Sequence, residues 1–310
     1  MATPPRQILP GAKYLVTRRC TQRQFLLTPS PTVNAVFKYI LALKVAQYGI
    51  LLHGFSVMSN HFHLVLTDPE SRLPDFLRDL DALIARSLNL HHGRRESFFS
   101  SDKPNIVRLV SPGDVISKLA YTLTNPVTSR LVSRRSEWPG AASRIRDIGG
   151  PARAVRRPDI FFSKRMPEKV ELRLLAPLVE HNGHWVEMSA DELTRFRQNV
   201  RRRAEAREQD VRQNAARRGR RFLGADSILR QSPFTTPRTA SKPGITPRIA
   251  AADKRVRIAA LENLRGFIAQ YYRALKKYRK GTRDVEFPCG TFKMRALFGV
   301  RCESMPLPAT

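Results

Sequence analysis

The sequence predicts an α+β fold: a ferredoxin-like βαββαβ antiparallel sheet with helices on one face, followed by a mainly helical basic C-terminal region. Two observations support this prediction. Strand-like and helix-like apolar patterns alternate in the βαββαβ order over residues 12–110, and the composition then becomes rich in Arg and Pro beyond about residue 150. Helices on one face would leave the other face of the sheet free for a ligand.

Each predicted element has its own local pattern. Runs rich in β-branched and aromatic residues indicate strands, and apolar residues spaced three and four apart indicate helices. Ser59-Asn60 separates two adjacent apolar runs and predicts a hairpin. The predicted strands are 12–20, 50–58, 60–67 and 105–110, and the predicted helices are 33–49, 73–90 and a third from about 112 that Pro126 must end, kink or punctuate.

The chain divides into four segments by composition. The first, 1–148, carries the strand and helix patterns. Residues 149–230 are predicted to be a linker and an Arg-rich helical segment, residues 231–250 a Pro/Ser/Thr-rich linker, and residues 251–310 a C-terminal basic helical region.

Charge indicates the class of partner. The chain has 55 Lys and Arg against 26 Asp and Glu, a formal net charge of +29, and nucleic acid is the commonest partner of so basic a protein. A merely basic surface is the alternative. Apolar runs are too short to cross a membrane and the start lacks the order of a signal peptide, so we expect a cytoplasmic protein without a membrane partner. Its three cysteines are too few and too widely spaced for a disulfide framework.

His61 and His63 form the first candidate site. Residues i and i+2 of a strand point to the same face, so the two imidazoles project side by side as half of a divalent-metal site. In the third helix, Tyr121 and Asn125 are neighbours on one face, and an amide oxygen suits Mg²⁺ or Mn²⁺. Taken singly, the histidines are also explained by backbone hydrogen bonds, Tyr121 by a half-buried aromatic, and Asn125-Pro126 by a helix stop.

Two motifs together resemble a known family. "VMSNHFHLVL" at 57–66, followed by "YTLTNPVTSRLV" at 121–132, resembles the HUH single-tyrosine transposases, and most the REP-associated tyrosine transposases. "PGAKYLVTRR" at 10–19 is similar to that family's first strand. The resemblance covers roughly residues 8–145. The chain departs from the family at Thr128-Ser129-Arg130, where the family has Arg-Ala-Gly.

The resemblance implies an activity and a role for each residue. His61 and His63 would hold Mg²⁺ or Mn²⁺, Asn125 would supply a further ligand, and Tyr121 would be the nucleophile. The implied activity is cleavage and rejoining of single-stranded DNA, often beside a hairpin, through a 5′-phosphotyrosine. The protein would act as a monomer or a homodimer. The alternative is a catalytically inactive protein of the same fold that binds structured nucleic acid.

Arginines near the predicted site are candidate phosphate contacts, although solvated surface is an equally good explanation of them. The Arg-rich stretch 201–221 is predicted to be a helix that clamps a duplex or hairpin, and Tyr271, Tyr272 and Tyr278 alternate with cations as base-stacking platforms do. The candidate DNA-binding residues are Arg18, Arg19 and Arg23 after the first strand, and Arg130, Arg134 and Arg135 after the tyrosine helix.

Overall fold

The computed structural model describes residues 5–159, 161–181, 184–237 and 247–304. Its strands are β1 Ala12–Arg19, β2 Leu51–Met58, β3 His61–Asp68, β4 Asn105–Leu109, β5 Arg153–Arg156, β6 Lys169–Leu172, β7 Val179–His181, β8 His184–Val186 and β9 Ile249–Ala250. Its helices are α1 Pro31–Tyr48, α2 Leu73–His91, α3 Pro112–Thr128, α4 Ala190–Arg217, α5 Ala225–Leu229, α6 Lys254–Arg279 and α7 Lys293–Phe298.

The main sheet has the order β2-β3-β1-β4-β9. β3 pairs antiparallel with both β1 and β2, and β1 pairs antiparallel with β4. This confirms the predicted ferredoxin-like βαββαβ arrangement. β9 adds a short fifth strand, parallel to β4, through Arg108 and Leu109, so the complete sheet is mixed. The predicted linker at 231–250 therefore includes a strand at its end, and its residues 238–246 lie outside the described residues.

The first two helices pack on one face of the sheet, as predicted. α1 begins where the Ser30 hydroxyl accepts from the Val33 amide, and it ends at Gly49, whose φ of 63° favours glycine. Alternate strand residues such as Tyr14, Val16, Phe62 and Leu64 are buried against these helices. The β5–β6 pair packs outside α1, where the Tyr39 hydroxyl donates to the Pro167 carbonyl at 2.6 Å. This face holds the main apolar core.

The prediction that the opposite face stays free is wrong, because α3 lies on it and α4 packs on α3. Leu15, Val65 and Val107 of the sheet are buried with apolar side chains of α3. Gly54 permits the close approach, since a Cβ there would lie 2.7 Å from Leu119. α3 starts with a Ser111–Asp114 capping box and ends two residues after Pro126.

α4 is amphipathic despite its arginines. Phe196, Val200 and Ala204 recur every four residues and are buried on α3. Further along the same face, buried Glu208 accepts from the Arg135 backbone at 2.8 Å and pairs with its guanidinium at 2.9 Å. The predicted Arg-rich helix therefore has one face in the protein core and its arginines on the others.

The C-terminal residues form a small core of their own. Phe267 and Tyr271 of α6 pack with Phe287 and with Met294 of α7. The Ile8 amide donates to the Gly290 carbonyl at 3.0 Å, which ties this unit to the N-terminal segment. The segment boundaries at 148, 230 and 250 stay a prediction. Among the described residues, no helix is both long enough and apolar enough to cross a membrane.

Candidate active site

The two predicted histidines lie side by side on β3. Phe62 and Leu64 point into the α1/α2 core, so His61 and His63 point to the face that α3 covers. Their rings meet edge to face with centroids 4.8 Å apart, and the two Nε2 atoms are 3.1 Å apart. The same-face geometry expected from the spacing is therefore present.

Each histidine is oriented by a contact of its Nδ1 atom, the ring nitrogen that faces away from the other histidine. His61 Nδ1 lies 2.7 Å from the Asn60 side-chain oxygen, and His63 Nδ1 lies 2.8 Å from the hydroxyl of Thr17, its direct partner across β1–β3. Because the Asn60 oxygen only accepts, His61 carries its proton on Nδ1. The lone pair of His61 Nε2 then points inward, as a metal-ligating imidazole requires.

Burial keeps both imidazoles neutral at pH 7. It lowers the pKa of His61 to about 4, and the charges of Arg19 and Arg23 lower that pKa further. Burial also lowers the pKa of His63 well below the usual value, followed by the effects of His61 and Arg19. Neutral imidazoles are the form that binds a metal ion.

α3 brings Tyr121 and Asn125 to the histidines. The Tyr121 ring meets the His63 ring edge to face, with centroids 5.4 Å apart. The side-chain nitrogen of buried Asn125 lies 2.9 Å from His63 Nε2. The four residues that the two motifs singled out therefore form one cluster, although they come from elements separated by α2 and β4.

The amide of Asn125 presents its nitrogen, not its oxygen, to His63. Its oxygen accepts instead from the Ser129 hydroxyl at 3.3 Å. As a donor to His63 Nε2, Asn125 fixes the proton of His63 on Nδ1, so that it donates to Thr17. The oxygen-ligand role predicted for Asn125 requires the amide to turn over, which exchanges its oxygen and nitrogen.

The donor set fits a divalent cation. In these tautomers neither Nε2 carries a proton and the two Nε2 atoms are 3.1 Å apart, so a cation could bind both once the Asn125 amide no longer donates to His63 Nε2. Within the described part of the chain, no group of three or more His, Cys, Asp or Glu residues forms a metal site. Water and a substrate phosphate would complete the coordination.

Two cations that the sequence interpretation missed lie over the Tyr121 ring. Lys118 Nζ is 5.7 Å and Arg207 Cζ is 5.5 Å from its centroid. Lys118 precedes Tyr121 by three residues on α3, so helical spacing alone could have identified it. Arg207 belongs to α4, and its Nε donates to the Thr124 hydroxyl at 3.3 Å. Only the packing of α4 on α3 brings it here.

The arginines at the end of β1 have different surroundings. Arg18 pairs with Asp81 at 2.7 Å and donates to the Ser100 and Asp102 carbonyls, so its guanidinium is held inside the protein. Arg19 is exposed and lies directly opposite His61 in the β1–β3 register. Arg23 is close enough for its charge to lower the pKa of His61. Arg19 and Arg23 thus border the histidine pair.

The arginines after α3 also differ from one another. Arg135 is paired with buried Glu208 and fixes α4. Arg134 is exposed, and its amide donates to the Glu137 carboxylate at 3.2 Å. Arg130 adopts a φ of 55°, and its carbonyl accepts from the Leu223 amide at 3.1 Å. Arg130 and Arg134 remain candidate phosphate contacts.

No protein-family model matches the chain, and no curated protein matches it. Among solved structures, the chain is similar to a REP-associated tyrosine transposase bound to a REP hairpin, with 17% identity and a TM-score of 0.40 over 47% of this chain and 85% of that chain. It is also similar to a putative transposase from Deinococcus radiodurans, with 21% identity and a TM-score of 0.28 over 34% of this chain and 85% of that chain.

Proposed function

We propose that this protein is a DNA transposase that cleaves and rejoins single-stranded, hairpin-containing DNA through a covalent bond to Tyr121. The observation that carries the proposal is that the Tyr121 ring meets the ring of neutral His63, whose Nε2 lies 3.1 Å from the Nε2 of neutral His61. A tyrosine beside a two-histidine cation site has a nucleophile and a place for an electrophilic activator in one cluster.

The proposed chemistry is an exchange of phosphodiester bonds. The Tyr121 oxygen attacks the phosphorus, its proton leaves, and the bond from phosphorus to the 3′ oxygen breaks. One strand then carries a 5′-phosphate ester to Tyr121, and the other ends in a 3′-hydroxyl after taking up a proton. Attack of a 3′-hydroxyl on the phosphotyrosine reverses the step and rejoins the strand. The number of phosphoester bonds is constant, so no external energy source is needed.

The protein's own groups have separate roles in this proposal. His61 and His63 would hold Mg²⁺ or Mn²⁺, which polarises the scissile phosphate when bound. Thr17 and Asn60 hold the imidazoles in the ligating orientation. Lys118 and Arg207, over the Tyr121 ring, are positioned to neutralise phosphate oxygens near the attacking atom.

The substrate class rests on charge and on the motif resemblance. The net charge of +29 favours a polyanion, and the exposed Arg19 opposite His61 favours phosphate at this site. The hairpin in the substrate follows from the resemblance of the two motifs to REP-associated transposases. The protein is proposed to act as a monomer or homodimer in the cytoplasm.

Covalent capture of DNA tests the proposal. The protein is incubated with Mg²⁺ or Mn²⁺ and with hairpin-flanked single strands labelled at either the 5′ or the 3′ end. We expect a protein adduct with the 3′ label and a shorter free strand with the 5′ label. Tyr121→Phe removes the nucleophile and should abolish both products.

Tyr278→Phe is the matched control, because it removes a phenol hydroxyl from the C-terminal core and should leave adduct formation unchanged. An adduct of undiminished yield from Tyr121→Phe would overturn the assignment of the nucleophile. If the wild-type protein binds the strands but forms no adduct with either metal, the inactive nucleic-acid-binding protein becomes the better description.

A further inference from the structure

Two cavities adjoin at the edge of the main sheet, away from the Tyr121 ring. The outer cavity, of about 670 Å³, lies between the N-terminal segment, α2 and α6. The inner cavity, of about 500 Å³, lies beside the start of β4. Both are lined by Arg6, Lys103, Pro104 and Ile106, so they are adjacent and share a wall, and the two together are called the cleft.

The inner cavity ends next to the histidine pair. Thr17 and Arg19 line it, and Thr17 is the residue whose hydroxyl contacts His63. Arg19 lies directly opposite His61. β9 pairs only with Arg108 and Leu109, which leaves the first residues of β4 to form the cleft wall. Thr17 and Arg19 therefore lie between the cleft and the histidine pair, and the cleft extends from these two residues to the C-terminal unit.

The cleft is strongly basic. Five Lys or Arg side chains and one Asp line each cavity, and among these cations Arg18 and Arg78 are paired with carboxylates. The Asp of the outer cavity, Asp81, already pairs with Arg18. Lys103, Arg279 and Lys293 are exposed and form no salt bridge with any described residue. The pKa of Arg6 is lowered by burial and then by the charge of Arg248, as expected where cations are crowded. An anion would relieve this repulsion.

Of the three aromatic residues that line the outer cavity, Tyr271, Tyr272 and Phe292, only Tyr272 is exposed. Of the three tyrosines that the sequence offered, Tyr271 is buried in the C-terminal core and Tyr278 packs on Phe287. Tyr272 is 42% exposed, lines the outer cavity, and is braced edge to face by Tyr271 with centroids 5.7 Å apart. A braced, exposed ring among cations is the usual arrangement of a base-stacking platform.

We propose that this cleft holds the single-stranded DNA that runs on from the histidine pair, with a base stacked on Tyr272 and phosphates at Lys103, Arg279 and Lys293. A cavity of this volume holds one or two nucleotides and is too small for a duplex. The direction of the strand rests on the proposed function, because that function places the scissile phosphate at His61 and His63. Binding in the cleft does not depend on cleavage.

The test measures binding in a Tyr121→Phe background, so that no strand is cut. Fluorescently labelled single strands of increasing length are titrated, and affinity is compared between Tyr272→Ala and Tyr272→Phe. We expect Tyr272→Ala to bind the longer strands roughly tenfold more weakly, while Tyr272→Phe, which keeps the ring, binds like the parent. The shortest strands, which cover only the histidine pair, should not distinguish the variants.

Charge removal gives a second readout. Arg279→Ala should reduce the slope of log affinity against log salt by about 0.7, the value for one phosphate contact on a single strand. Arg265→Ala, which removes an exposed cation of α6 that lines neither cavity, should leave affinity and slope unchanged. Photocrosslinking with 5-iododeoxyuridine at successive positions should map one position to Tyr272.

The outcomes separate this inference from the proposed function. Equal affinities for Tyr272→Ala and the parent at all lengths would contradict DNA binding in the cleft, even if the wild-type protein forms the covalent adduct. Tyr272-dependent binding without any adduct would support DNA binding in the cleft and contradict the proposed transposase activity. Tighter Tyr272-dependent binding of RNA, or equally tight binding of a mononucleotide, would overturn single-stranded DNA as the occupant.

Discussion

The two faces of the main sheet are built from the same strands but carry different kinds of side chain. On the α1/α2 face, Phe62 is fully buried and its ring meets Phe37 edge to face, with centroids 5.2 Å apart. On the α3 face, His61 and His63 present polar nitrogens to each other and to Asn125. One face excludes water with apolar packing, and the other brings neutral polar groups into contact with one another.

This difference depends on strand register. Successive residues of β3 alternate between the faces, so a shift of one residue would place the imidazoles in the apolar core and Phe62 in the candidate site. The apolar contacts of one face therefore hold the register that orients the chemistry of the other. Substitutions on the two faces should separate loss of stability from loss of function.

The largest effect on stability is expected from Phe62→Ala. Removing a fully buried phenyl ring leaves a cavity between α1 and the sheet, and should lower the free energy of unfolding by about 3–5 kcal/mol. His61→Ala, the next residue on the opposite face, should cost about 1 kcal/mol or less but should abolish metal-dependent adduct formation. Denaturant unfolding monitored by circular dichroism measures the first quantity. Similar stability losses in the two variants would contradict the division between faces.

Acid should destabilise the protein through His53. Burial lowers its pKa to about 4, the hydrogen bond to the Leu175 carbonyl raises it, and the charge of Lys13 lowers it. Because the folded-state pKa lies below the unfolded value of about 6.5, the neutral form stabilises the fold above pH 6.5, and this contribution is lost as the pH falls towards 4. The loss should be about 3 kcal/mol.

The contribution of His53 is isolated by comparison with His53→Gln, since other histidines titrate in the same range. We expect the stability difference between wild type and His53→Gln to decrease by about 3 kcal/mol between pH 7.5 and pH 4, in denaturant unfolding. A difference that is constant with pH would show that His53 titrates normally in the folded protein.

Thr17→Val tests whether the β1 hydroxyl orients His63. The substitution keeps the size and strand preference of the side chain but removes the 2.8 Å contact with His63 Nδ1. We expect Mn²⁺ affinity to fall roughly 10- to 100-fold, as for lost hydrogen bonds to other ligating histidines. Calorimetric titration of Mn²⁺ measures the affinity, and His184→Ala, on the exposed β8 strand, is the control. Unchanged affinity would mean that Thr17 does not orient the ligand.

The smallest effect is expected from Arg207→Gln. This removes one cation over the Tyr121 ring and should slow adduct formation roughly tenfold, with little change in stability. Arg203→Gln removes an exposed arginine one turn earlier on α4 and should not change the rate. Single-turnover kinetics with labelled DNA compare the two variants. Equal rates would remove Arg207 from the proposed mechanism.

The sequence predicted the N-terminal fold well because its signals are local. Strand alternation, the Ser59-Asn60 break and the helical spacing of apolar residues each act over a few residues, and the structure has strands and helices at these places. The second face was expected to be free although α3 was predicted as a helix, because a local pattern does not tell on which face of a sheet a helix packs. The packing of α4 on α3 was not predicted, because the apolar stripe of α4 lies among arginines that dominate its composition. β9 was missed because two residues are too few to show a pattern.

The candidate site likewise contains residues that local motifs predicted and residues that only the tertiary structure reveals. His61, His63, Tyr121 and Asn125 were identified because two short motifs contain them. Arg207 could not be identified, since only the packing of α4 brings it near Tyr121. Arg18 and Arg19 are adjacent arginines that the sequence does not distinguish. In the structure Arg18 pairs with Asp81, which is distant in sequence, whereas Arg19 is exposed. Spacing predicts which side chains share a face, and tertiary packing decides which charges remain available to a ligand.

Peptide mapping of the covalent adduct tests the central claim most directly. The wild-type protein is reacted with single-stranded hairpin DNA and Mn²⁺, digested with nuclease and protease, and analysed by tandem mass spectrometry. The account predicts a nucleotide remnant attached through phosphate to Tyr121, and none when His61 and His63 are both replaced by Ala. A remnant on another residue, or an adduct that forms equally well without the histidines, would contradict it.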